Sequence, residues 1–179
     1  VWKKCKLIKF EDRGLLFRWE GKEVGEPTVL MAHYDVVPVD EEKWKKPPFS
    51  AIIEDGVMWG RGTLDTKVTF NGILSAAEHL IAEGFVPERD IYFAFSGGEE
   101  VNGLGAVHIV DYFEKNNIEL GFVVDEGGAV VENVFPGVKK PCAVVGISEK
   151  GMLNVQFEVS SFGGHASAPP PKPPIGELS

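Results

Sequence analysis

The sequence predicts an α/β domain with a mixed, mostly parallel sheet flanked by helices, followed by the opening of a second, α+β unit. Three observations carry this. Short apolar runs alternate with segments of helical period. Most of those runs are continuous rather than alternating, as in strands buried on both faces. The chain's 179 residues, 44% hydrophobic and 25% charged, suffice for one globular domain with a sizeable core.

The elements follow in order. LLFRW at 15–19 and TVLMAH at 28–33 are the first strands. SAIIEDGVMWG reads as a hairpin around an Asp-Gly turn. From Lys67 the period changes: Val68, Ile73, Leu74, Ala77, Leu80 and Ile81 recur at helical spacing and Gly84 stops the helix. DIYFAFS at 90–96 is a buried strand, and the Gly-rich GGEEVNGLG leads into a second amphipathic helix. LGFVVDE at 120–126 is another strand. The stretch VKKPCAVVGISEKGMLNVQFEVSS reads as β-structure, with alternation at Leu153, Val155, Phe157 and Val159 that leaves one face solvated. This shift places a boundary near Ile147, giving a domain over 1–146 and a second unit opening over 147–179. Pro169 to Pro174 reads as a stiff extended turn.

Composition narrows the function. Lys plus Arg total 18 against 27 Asp plus Glu, a formal charge of -9 that argues against a nucleic-acid or anionic-membrane partner. No apolar run reaches the roughly 18 residues of a transmembrane helix and VWKKCKLIKF lacks a signal-peptide core, so a soluble, cytoplasmic protein is expected. Cys5 and Cys142 are too few for a disulfide framework and read as reduced structural thiols. Val1 is no initiator Met, and the last residues end as a helix begins, so the chain reads as a fragment.

The acidic and imidazole groups cluster at strand ends. His33 and Asp35 end one strand, Glu99 and Glu100 follow another, and Asp125 ends a third; Asp65 precedes a helix. In open α/β sheets those carboxyl ends form the ligand crevice. Singly, each has a plain structural role: a hydrogen-bonded His, an N-capping Asp, a solvated acidic turn. Together, carboxylates in one crevice repel unless a cation neutralises them. Imidazole with carboxylates and no thiolate suits Zn²⁺, with Mn²⁺ or Co²⁺ as substitutes, and more than three ligands with a shared carboxylate fits two ions.

Four motifs carry a resemblance: M-A-H-Y-D-V-V-P at 31–38, G-R-G-T-L-D-T-K at 60–67, F-S-G-G-E-E at 95–100 and V-V-D-E-G-G at 123–128. In order and spacing the chain resembles the M20 metallopeptidases, within them the carboxypeptidase S and N-acyl-amino-acid hydrolase branch. The resemblance implies a zinc-exopeptidase fold with a lid and dimerisation domain, and amide hydrolysis in small peptides or N-acyl amino acids. It implies that His33 binds one zinc, Asp65 bridges both, Glu100 binds the other and Asp125 completes the first, with Glu126 as rival. Asp35 would orient the imidazole, and Glu99 would be the general base for the water between the ions. His165, in G-G-H-A-S, would bind substrate from the lid, across a homodimer in the full-length protein.

Other residues read as packing or surface: His79 and His108 in helices, Trp44 and Trp59 beside the loops, and Arg61 pairing with a carboxylate. The family's second acidic residue after the bridging Asp is Thr66 here, and no residue after His165 can supply the family's final His ligand. The expected site is therefore incomplete and this chain alone nearly inactive. Two other classes compete: a non-catalytic metal-binding or interaction protein on the same fold, which the presence of Glu99 opposes, and a serine hydrolase using Ser96, which lacks the G-x-S-x-G elbow.

Overall fold

A computed structural model of the chain describes residues 3–178 apart from 149, 152 and 166. The chain divides into two compact units, Val1–Gly127 and Gly128–Ser179.

The first unit is a five-stranded mixed sheet with a helix on each face. Its strands are β1 (Lys6–Lys9), β2 (Leu15–Trp19), β3 (Thr28–His33), β6 (Ile91–Ser96) and β7 (Phe122–Val124), in the order β1-β2-β6-β3-β7. A separate hairpin, β4 (Ile52–Glu54) and β5 (Val57–Trp59), turns at Asp55 and Gly56, both at positive φ. The pairs β3–β6 and β3–β7 are parallel, while β1–β2 and β2–β6 are antiparallel. Strand β1 was not anticipated: KLIK, with three of its four residues exposed, carries too little apolar sequence to announce an edge strand.

Alternation along the strands sorts side chains into two cores. Phe17, Trp19, Ala32, Phe93 and Phe95 face α1 (Lys67–Ala82), whose Phe70, Ile73, Leu74, Ala77, Leu80 and Ile81 close over them. Leu16, Val29, Tyr92 and Ala94 face the other way, against Ile109 and Phe113 of α2 (Gly105–Lys115). Strand β6, sandwiched between both layers, is therefore apolar up to Ser96 at its end, as the run DIYFAFS indicated. Val68 leaves the predicted stripe and is exposed, because it sits in the first turn of α1 before the helix reaches the sheet. The helix stops just before Gly84, whose φ of +78° suits a residue without a Cβ, and Phe85 N–H returns to the Leu80 carbonyl.

The second compact unit spans Gly128–Ser179. Among the described residues, strands β8 (Ala129–Val131) and β9 (Cys142–Val144) pair only with each other, in a sheet of their own. The strand expected over Leu153, Val155, Phe157 and Val159 does not form. A strand with one apolar face needs a paired neighbour and a cover, and Leu153, Val155 and Phe157 are exposed with no strand beside them among the described residues. The unit closes with α3 (Pro174–Leu178).

Candidate metal centre

Parallel strands bring distant residues to one rim. His33, last in β3, is level with Ser96, last in β6, and is 3% exposed. Beyond Ser96 the chain passes Gly97 and Gly98 into a single 3-10 turn, Glu99–Val101. A Cβ at Gly97 would lie 2.6 Å from the Tyr34 ring and would have to displace the ring whose hydroxyl donates to the Arg13 carbonyl. Asn102, at φ 54°, ends the turn, and Gly103 N–H donates to the Gly98 carbonyl at 2.6 Å. Strand β7 stops at Val124, level with Leu30, so Asp125 and Glu126 continue towards the level of His33.

The imidazole gathers carboxylates. Its Nε2 lies 3.0 Å from Asp65 Oδ1 and 3.3 Å from Glu126 Oε1. Donor atoms of His33, Asp65 and Glu100 all fall within 4.8 Å of one another. Asp65 belongs to the turn before α1, its side chain is 73% exposed, and its peptide bond to Thr66 is cis.

Asp35 lies beside the imidazole and also holds the acidic turn. Its Oδ1 is 3.4 Å from His33 Nδ1, near enough for an ion pair but outside hydrogen-bond geometry, so the buried Nδ1 has no hydrogen-bond partner. Instead both oxygens accept backbone N–H groups at 3.2 Å, Oδ1 from Glu99 and Oδ2 from Glu100. One carboxylate thus ties the end of β3 to the acidic turn. Asp125 is exposed and its Oδ1 accepts the N–H of Glu126 at 2.8 Å, which leaves Glu126 as the carboxylate reaching the imidazole.

Electrostatics follow from this crowding. Burial alone would lower the His33 pKa, but the Asp65 hydrogen bond and the charges of Glu126, Glu99 and Asp35 outweigh it and hold the imidazolium above its ordinary value. Glu99 is raised chiefly by burial, with His33 opposing and Glu100, Glu126 and Asp35 adding repulsion. An apolar cavity of about 330 Å³ opens beside these groups, with Val29, Met31, Ile109, Phe113 and Val123 in its wall and His33, Glu99, Asp125 and Glu126 at its polar end.

A buried imidazole facing oxygen donors at this spacing fits a borderline divalent cation, whose charge would relieve the repulsion among the carboxylates. The remaining residues have partners of their own. His165 is exposed in the second unit, its Nδ1 2.8 Å from Ser167 Oγ. His79 faces Glu83 on the surface of α1, and His108 Nδ1 meets the Glu11 carbonyl at 3.1 Å. Trp44 and Trp59 are half-buried beneath cations, Arg61 over Trp44 at 5.0 Å and Lys46 over Trp59 at 5.5 Å. Arg61 therefore stacks on an aromatic face and, among the described residues, pairs with no carboxylate.

Known proteins resemble this chain in sequence and fold. A sequence profile of Peptidase family M20/M25/M40 matches residues 29–177, and the chain belongs to that family. It is 40% identical over 170 residues to the N-fatty-acyl-amino acid synthase/hydrolase PM20D1 of Homo sapiens, covering 94% of this chain and 34% of that protein. It is 42% identical over 184 residues to the probable carboxypeptidase S-like 2 of Dictyostelium discoideum, covering 100% of this chain and 36% of that one. Among solved structures, the M20 family metallo-carboxypeptidase Sso-CP2 of Sulfolobus solfataricus superposes with a TM-score of 0.56 at 30% identity, over 72% of this chain and 29% of that one. The chain spans about a third of the length of the curated relatives it matches.

Proposed function

We propose that this chain forms the catalytic part of a metal-dependent hydrolase that cleaves the amide bond of N-acyl amino acids or small peptides. The observation that carries this reading is the meeting of His33, Asp65 and Glu100 donors within 4.8 Å, with Glu99 adjacent in sequence to Glu100. Similarity to a carboxypeptidase S-like protein and to an N-fatty-acyl-amino acid synthase/hydrolase supports the substrate class.

The roles follow from position. His33, Asp65 and Glu100 would hold zinc, with Asp65 shared between two ions and Asp125 or Glu126 adding a further carboxylate. Zinc supplies Lewis-acid polarisation of the scissile carbonyl and makes water easier to deprotonate. Glu99 takes a proton from the attacking water and returns it to the departing amine, so the C–N bond breaks as a new C–O bond forms. Burial raises its pKa above the ordinary carboxylate value, the direction that makes it a better proton acceptor. Asp35 holds Glu99 and Glu100 by their backbone N–H groups, so acceptor and ligand keep their spacing. In a longer protein, a lid carrying His165 would bind substrate across a homodimer, and a final His ligand would complete the second zinc site. The protein is expected in the cytoplasm.

The test combines metal analysis of this chain with turnover by the full-length protein on a panel of N-acyl amino acids and dipeptides. Glu99→Ala is expected to lower kcat by about 10²- to 10⁴-fold while metal content is unchanged. Wild-type turnover in Glu99→Ala would remove the base assignment. Zinc binding with no turnover by the wild type on any substrate would favour a non-catalytic metal-binding protein.

A further inference from the structure

Lys67 carries no task in the roles above, yet its side chain has a specific partner. It is the first residue of α1, two after Asp65, and its Nζ donates to the carbonyl of Tyr34 at 2.7 Å. Tyr34 lies between His33 and Asp35, and its own N–H donates to the Ser96 carbonyl at 2.9 Å. The Tyr34–Asp35 link therefore receives one arm of the site from each side. Asp35 holds the Glu99–Glu100 turn, and the Tyr34 carbonyl holds the start of α1.

The Asp65 arm is the one that needs holding. Asp65 is largely exposed on a turn and confronts Glu100 and Glu126, so like-charge repulsion pushes it outward in the absence of a cation. Among the described residues, only two hydrogen bonds join residues 60–67 to residues 33–35: the His33–Asp65 contact itself and the Lys67–Tyr34 bond. Lys67 remains exposed and loses rotamer entropy by ordering on this carbonyl.

We propose that Lys67 is a positioning residue for the metal centre, its bond to the Tyr34 carbonyl keeping Asp65 within reach of His33 before a cation arrives. The proposal rests on the metal-site reading above. It concerns the readiness of the site to bind rather than the chemical step.

The experiment measures the zinc dissociation constant of the 179-residue chain by competition with a chromogenic chelator, alongside the thermal midpoint of the metal-free chain. Wild type, Lys67→Met and Lys67→Arg are compared. Lys67→Met is expected to weaken zinc binding about tenfold, the lower end of what loss of an outer-sphere partner costs, with the metal-free midpoint unchanged. Lys67→Arg retains a donor and recovers most of the affinity. Equal zinc affinity in wild type and Lys67→Met overturns the proposal. So does an affinity loss accompanied by an equal fall in the metal-free midpoint, which marks a general structural role. Failure of Lys67→Arg to recover affinity overturns the hydrogen-bond account. Absence of zinc binding by the wild type overturns the metal-site reading and Lys67's role with it, a result distinct from the other three.

Discussion

At Asp125 and Glu126 the difference of one residue decides which carboxylate faces the imidazole. The sequence motif favours Asp125, whereas Glu126 Oε1 stands 3.3 Å from His33 Nε2 and Asp125 accepts a backbone N–H. The geometry predicts that Glu126→Gln weakens zinc binding by more than Asp125→Asn does, measured by calorimetric titration. The opposite ranking would return the role to Asp125. His33 and Glu99 set a pH signature. Both hold their protons more tightly in the folded chain than in the unfolded one, so the stability they contribute is present at low pH and lost as pH rises through the folded values. For Glu99 this loss begins above about 4.5 and for His33 above about 6.5. With EDTA present, the thermal midpoint should fall between pH 6 and pH 8, and His33→Asn should flatten that slope. Zinc needs the neutral imidazole and ionised carboxylates, so zinc affinity should run the other way and rise with pH.

At the scale of elements, the seam between α1 and the sheet rests on aromatic contacts. Phe95 is almost fully buried, meets Phe70 edge to face at 4.6 Å and Phe17 at 6.0 Å, and lies one residue before Ser96 at the rim. Phe95→Ala should cost about 3 to 5 kcal/mol, read as a lower denaturation midpoint in urea. Strands β2, β3 and β6 and both long helices were legible because apolar period and Gly punctuation act locally and agree with the tertiary fold. Strand β1 was not, since its pairing with β2 depends on backbone hydrogen bonds rather than on a distinctive apolar pattern. The alternating segment at 153–159 failed for the converse reason: a period of two marks a strand only where a partner receives it. In the site, the motifs announced which residues gather, but not that Asp35 would spend both oxygens on the Glu99 and Glu100 amides, nor that Glu126 would be nearer the imidazole. Such contacts depend on turn geometry, which spacing along the chain does not encode.

At the scale of the whole molecule, the first unit's sheet is covered unevenly. Its two outer strands differ: β1 carries lysines at both ends, while β7 presents Phe122, Val123 and Val124, with Phe122 63% exposed. No strand pairs with the far side of β7 among the described residues. An open apolar edge of this kind is a template for another strand, whereas lysine on an edge discourages pairing. The consequence is colloidal. Concentrating the isolated 179-residue chain should drive reversible association followed by β-rich precipitation, and Phe122→Lys should raise the concentration at which sedimentation velocity first shows it. Anyone titrating zinc into this site will need that variant, or dilute protein, to keep the measured heat that of metal binding and not of strands finding one another.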